Sequence, residues 1–343
     1  MMISRHCRVT RWGVYTLFGL LSLTQSVLAQ DNTSLLKKHV QFLQSRIDHK
    51  DALIRTSALD GLAANNLPSQ MTRLKAAIHD SSDTVQCVAL KHLRGNADQE
   101  ALAKVKQLVE ELARRPFNEV DDQGLAVAES RALGVLVASG DAKARTFAIQ
   151  RLRSVLGSEH TPWSRWAFMS DAVADNDLKE FLPVLKKAKD ERRERAVWAA
   201  AKLGDADSIK EIKKEVRSGK ESLFAGLAYN PRAREVLGIE PTELQELVRR
   251  HTFVEPTDKC ILLAYLGDHD GILRELKDIR AGALAEHIQL SLVFAARDVG
   301  DERYVKSLDE LFESSKDESI RVACSVAVIK IYARARMAPE NGK

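Results

Sequence analysis

The sequence predicts an all-α chain folded as an α-solenoid of about nine antiparallel helix pairs, and three observations carry that expectation. Ala, Leu, Lys, Glu and Arg dominate, while aromatics make up 6% and prolines number 8, a composition that favours helix over strand. A corner recurs in which an apolar run ends in Leu or Val, Gly-Asp follows, and a second helical run begins within a few residues. Between corners the apolar residues return at i, i+3, i+4 and i+7, the spacing of one helix face.

The first 29 residues are of another kind. Arg5, Arg8 and Arg11 precede an apolar stretch from Val14 to Leu23, and a more polar region ends at Val27-Leu28-Ala29. These are the three parts of a secretory signal, with cleavage expected after Ala29. The apolar part is shorter than the ~20 residues that span a bilayer, and Thr24, Gln25 and Ser26 interrupt it. Cys7 lies before the apolar stretch and so cannot be a lipid-bearing cysteine at the cut. The expected organisation is a signal peptide over 1–29, the helical array over 30–336 and a disordered tail over 337–343. Localisation is expected to be periplasmic or extracellular, with retention of the segment as a membrane anchor as the other reading.

Removing the signal leaves 49 basic against 48 acidic residues, so the mature chain is close to neutral. A nucleic-acid binder shows a basic excess or stripe, and here acids and bases are interleaved. The densest run, Lys186–Arg195, reads KKAKDERRER and is expected to be a solvated helix surface with i, i+4 pairs. The mature chain keeps Cys87, Cys260 and Cys324, each among apolar neighbours, where cysteine behaves as a small buried hydrophobe. They fall in non-adjacent repeats, so no disulfide is expected.

The corners then order the elements. Asp51, Asp83 and Asp317 each open a run with an Ile/Val-Arg/Gln step (Ile54-Arg55, Val85-Gln86, Ile320-Arg321), followed by small and apolar residues. Leu102, Val105, Leu108, Val109 and Leu112 form one amphipathic face, as do Leu178, Phe181, Leu182 and Leu185, and Tyr304, Val305, Leu308, Leu311 and Phe312. Gly-Asp occurs at 140–141, 204–205, 267–268 and 300–301, with weaker copies at Gly95-Asn96 and Asp175-Asn176. Gly204 to Gly267 is 63 residues, two units, and Gly267 to Gly300 is 33, one unit. Glycine closes one helix in the left-handed conformation, and aspartate caps the next.

These residues, and Trp198-Ala-Ala-Ala-Lys-Leu-Gly-Asp-Ala-Asp-Ser-Ile209 above all, resemble HEAT repeats, in particular the short bacterial type named after phycobilin lyases. The resemblance runs from about Leu35 to Ala335 and implies a HEAT-like superhelix. It also implies that Asp51, Arg55, Asp317 and Arg321 hold repeats together. The pattern departs at residues 114–124, an expected long loop within a pair, and at 230–256, where Pro231, Pro241 and Pro256 predict short helices and irregular stacking.

Catalytic motifs of the metalloprotease, hydrolase, P-loop and dinucleotide-binding kinds do not occur, nor does C-x-x-C. No catalytic residue, cofactor or metal ligand is therefore assigned. Asp268-His269-Asp270 brings three ligand-type side chains into one corner, but cap and turn roles account for the acids. Trp163, Arg165 and Trp166 form the densest aromatic cluster and are the candidate partner-binding residues, since Trp and Arg are typical interface anchors. The competing reading places these aromatics, spaced i and i+3, in the core between repeats. The expected function is an exported, non-enzymatic scaffold offering a concave helical surface to a protein or peptide. The alternative is a HEAT-like enzyme related to phycobilin lyases or alkyl-base DNA glycosylases, which the export signal and near-neutral charge disfavour.

Overall fold

The computed structural model of the chain describes residues 33–117, 122–253, 255–279 and 284–337. The expected signal peptide, part of the 114–124 loop and the tail beyond Met337 lie outside the described residues. Among the described residues all regular structure is helical. A first helix α1 spans 33–44, followed by α2 (Ala52–Asn65), α3 (Leu67–Ala77), α4 (Asp83–Leu93) and α5 (Gln99–Arg114). Then come α6 (Gln123–Ala138), α7 (Ala142–Leu156), α8 (Trp163–Asp175), α9 (Leu182–Leu185), α10 (Arg193–Lys202) and α11 (Ala206–Arg217). The chain continues with α12 (Glu221–Ala228), α13 (Pro231–Leu237), α14 (Pro241–Arg250) and α15 (Pro256–Tyr265). It ends with α16 (Asp270–Ile279), α17 (Glu286–Val299), α18 (Val305–Ser314) and α19 (Glu318–Met337).

The corners follow their chemistry. Gly95, Gly140, Gly204, Gly267 and Gly300 all take left-handed φ angles, from +76° to +100°. After four of these corners an aspartate caps the next helical segment: Asp98, Asp141, Asp205 and Asp301 accept from the backbone N–H of Ala101, Ala144, Ser208 and Arg303 at 2.9, 2.8, 3.1 and 2.8 Å. The corner without glycine is closed by Asp177, which itself takes φ +53°. Pro231, Pro241 and Pro256 each occupy the first position of a short helix, where a missing N–H costs nothing.

Two expectations change. The face Leu178–Leu185 is buried as predicted at Leu178, Phe181 and Leu185, but it is carried by a 3-10 turn and one α-turn rather than by a regular helix. Pro183 explains the break, because it cannot donate into a preceding turn. The run Lys186–Arg195 is not one helix either, since Asp190 sits at φ +53° and interrupts it. Its charges pair between elements instead of along one: Lys186 with Asp205 at 2.6 Å and Arg193 with Glu211 at 3.0 Å.

The more apolar helices pack side by side, α2 on α4, α4 on α6, α6 on α8 and α8 on α10. From α10 the contacts pass through α13 and α12 to α15, then to α17 and α19. Helix α19 then packs against α2, so the succession of neighbours returns to its start. The remaining helices pack against members of this circuit. The seam is built from both chain ends. Val322, Val326 and Ile329 of α19 share one apolar core with Leu43 and Leu59. Gly61 makes the approach possible, because a Cβ there would come within 2.5 Å of Leu43 Cδ1 and 3.2 Å of Val326 Cγ2. Across the seam the Phe42 and Phe312 rings meet edge to face at 5.0 Å, with the Arg321 guanidinium over both.

Candidate functional site: a polar rim near the helix C-termini

Several side chains reach between helices of this circuit near the C-terminal ends of its more apolar members. Arg94, just past α4, reaches across α6 and donates to the Asp175 carbonyl at 2.7 Å and to Asn176 Oδ1 at 3.0 Å. Arg232, at the start of α13, reaches across α10 to within 3.8 Å of Asp177. Lys330 of α19 and Lys91 of α4 meet on Asp60 of α2, Lys91 at 3.1 Å, with His92 Nε2 at 2.8 Å from the same carboxylate.

Asp60 is 6% exposed and lies in an otherwise apolar helix stretch, so its charge must be compensated. Burial would raise its pKa, but the hydrogen bond from His92 and the charges of Lys330 and Lys91 outweigh burial and hold the carboxyl well below the usual range. Burial also works on Lys330, lowering its ammonium to about 8 against the pull of Asp60.

Next along the rim, Asp298 and Arg297 of α17 pair through two bonds of 2.6 and 2.9 Å. The Tyr265 hydroxyl donates to Asp298 at 3.0 Å, and burial together with the Asp298 charge pushes the Tyr265 pKa up. Arg334 of α19 donates to the Arg297 and Asp298 carbonyls, a cation placed at a helix C-terminus where the helix dipole favours it. Aromatic surface is available in the same region. Tyr229 is 50% exposed and meets Tyr265 edge to face at 4.4 Å, and Phe294 is 39% exposed beneath the Arg297 guanidinium.

The three candidate partner-binding residues lie elsewhere, on the first turn of α8, about 14–18 Å along the helix from Asp175 at 1.5 Å per residue. Trp166 is 1% exposed and its indole N–H donates to the Leu156 carbonyl at 3.2 Å. Arg165 donates to the buried carboxylate of Glu129 at 2.7 Å, and Arg151 binds the same carboxylate at 2.9 Å, which ties α6, α7 and α8 together. Trp163 is half-buried and donates to the Glu191 carbonyl at 3.0 Å. The structure thus joins Arg165 to an ion-pair network, Trp166 to the core and Trp163 to a carbonyl of the 3-10 turn Asp190–Arg192.

The Asp268-His269-Asp270 side chains diverge. Asp268 pairs with Arg249 at 2.8 Å, whereas His269 faces the Tyr304 hydroxyl at 2.8 Å. Among the described residues no group of three or more His, Cys, Asp or Glu side chains is placed to hold a metal ion. Among them, too, no helix is long and apolar enough to cross a membrane. Of the residues assigned to joining repeats, Arg55 spans from α2 to Asp80 before α4 at 3.2 Å, and Asp51 and Asp317 cap α2 and α19. Arg321 sits at the seam.

Sequence reasoning missed the rim. The available signal was a single charge inside an apolar stretch, as in Leu59-Asp60-Gly61-Leu62 and Val328-Ile329-Lys330-Ile331. In a helix covered on both sides, such a charge must find a partner or face an open interior. No family model matches the chain, and no curated protein matches it.

Proposed function

We propose that this protein is a non-enzymatic binding scaffold, a HEAT-like solenoid exported by its N-terminal segment, whose polar rim receives a protein or peptide partner. The supporting observation is the convergence of polar and aromatic side chains from separate helices on one rim. Tyr229 and Phe294 are exposed, Tyr229 against Tyr265 and Phe294 beneath Arg297, and the cations Lys91, Arg94 and Arg232 reach to neighbouring helices. Half-exposed aromatics flanked by arginine are the side chains that most often anchor a partner. A pocket with a nucleophile, a base and an orienting group would favour an enzyme, and the rim instead offers donors, rings and paired charges.

The test is quantitative capture from the native exported fraction with the tagged full-length chain, comparing Tyr229→Ala/Phe294→Ala with Trp163→Ala. The aromatic pair on the rim is expected to lose a partner that is otherwise recovered in stoichiometric amount, while Trp163→Ala retains it. Capture that persists in the rim variant and disappears with Trp163→Ala would move the binding face to the start of α8.

A further inference from the structure

A cavity of about 270 Å³ opens on the rim, lined by Arg94, Lys202, Arg232, Asn230, Asp175 and neighbouring alanines. Its polar lining is unbalanced. Arg94 uses one terminal nitrogen for its two bonds, to the Asp175 carbonyl and to Asn176, so Nε and the other terminal nitrogen carry further N–H donors. Lys202 is 12% exposed and spends one bond on Asp175, and an ammonium has three donors. Asn230 uses its side-chain oxygen to cap Ala233 at 3.0 Å, which leaves its amide N–H₂ as a donor. The Arg232 side chain is 59% exposed and its carboxylate neighbour is 3.8 Å away, a loose contact. Against these donors stands the carboxylate of Asp175, which Lys202 already engages.

The geometry points to an anion site in this cavity, and it takes a carboxylate of an acidic peptide segment; this rests on the scaffold reading. Two guanidiniums and an ammonium with unspent donors match a carboxylate, and arginine binds that group in a fork. The choice of a peptide over a small free anion follows from the surroundings. The cavity is open, the half-exposed Lys91 stands one helical turn before its lining residue Arg94, and Tyr229 precedes its lining residue Asn230 in the chain. A chain carrying successive carboxylates would meet cations along that path and an exposed ring beside it.

The experiment is a fluorescence-anisotropy titration of the full-length protein with a labelled hexaglutamate peptide, repeated with inorganic phosphate as competitor. The variants are Arg232→Gln, the double Arg94→Gln/Arg232→Gln, and the control double Lys187→Gln/Arg250→Gln, which removes the same charge from exposed positions away from the cavity. Saturable binding is expected, weakened about tenfold or more by the cavity double variant and less than about twofold by the control. Arg232→Gln alone, at an exposed side chain, is expected to weaken binding with helicity unchanged, which covers the case in which Arg94→Gln disturbs the end of α8. No saturable binding, or equal weakening in both double variants, overturns the proposal. Phosphate binding to the cavity as tightly as the peptide overturns the peptide assignment. A partner captured through Tyr229 and Phe294 while hexaglutamate fails would leave the scaffold reading standing and remove this one.

Discussion

His39 shows how one residue can make the seam sensitive to pH. It is fully buried between α1 and the C-terminal helices, with Ser325 Oγ 3.0 Å from Nδ1 and Asp309 Oδ1 3.2 Å from Nε2, and Phe312 against its ring. Burial lowers its pKa to about 4, opposed by the Asp309 charge and assisted by the nearby Lys38 ammonium. The fold therefore holds the neutral imidazole, while the unfolded chain takes up a proton below about pH 6.5. Stability is present above that value and declines as pH falls through the window from 6.5 towards 4, by roughly 2 kcal/mol at pH 5. Urea midpoints at pH 7 and pH 5 check this: the difference is expected to shrink in His39→Gln, which cannot titrate, and an undiminished difference would place the proton elsewhere. The histidine was not legible as a seam residue, because its partners Asp309 and Ser325 are 270 and 286 positions away. Trp166 was partly legible: the i, i+3 spacing allowed both a core and a surface reading, and its depth depended on α7 and the 186–192 segment, which spacing within α8 cannot reveal.

At the scale of the element, the corners were the most legible feature because their chemistry is local. Glycine followed by aspartate specifies a left-handed closure and the next cap within four residues, with no help from the rest of the chain. Proline placed the short helices of 230–256 for the same reason. Where the reading failed, at Pro183 and at Asp190, the face periodicity had outweighed a local breaker: a proline inside the run and a residue at positive φ. The corners also differ in what surrounds them, and substitution should expose this. Gly95 has φ +76° and nothing within 4 Å of an added Cβ, so Gly95→Ala is expected to cost about 1 kcal/mol of backbone strain alone. Gly300 has φ +81°, and an added Cβ would come within 2.5 Å of Arg334 Nη1, displacing the guanidinium from the carbonyls at the end of α17. Gly300→Ala is expected to cost about 1 kcal/mol more than Gly95→Ala, since a cap is lost as well. Chemical denaturation of the two variants checks the order, and equal losses would mean that Arg334 contributes nothing as a cap.

The return of the helix succession to its start was not legible at all. Curvature in a helical array accumulates from a small rotation at every interface, and no residue pattern within one unit states the sum. What the sequence does contain is the permission for closure: a glycine inside a helix, at Gly61, where helix propensity alone would disfavour it by about 1 kcal/mol relative to alanine. Its position against Leu43 and Val326 explains that choice, because α1, α2 and α19 approach there more closely than a side chain on α2 allows. Enlarging it should therefore act on the whole molecule through one contact. Gly61→Val is expected to part α19 from α2 at an overpacking cost of about 1–3 kcal/mol, and with it to loosen the Lys330–Asp60 pair and the Phe42–Phe312 contact. On the proposed solenoid reading, interfaces between nearest neighbours keep the loss near the seam. Hydrogen exchange should accordingly rise in α1, α2, α18 and α19 while α6 to α8 keep their protection, and small-angle scattering should report a larger radius of gyration. Exchange that rises equally in α6 to α8 would mean that closure supports every interface at once, so that the ring and not the pair of helices is the unit of stability.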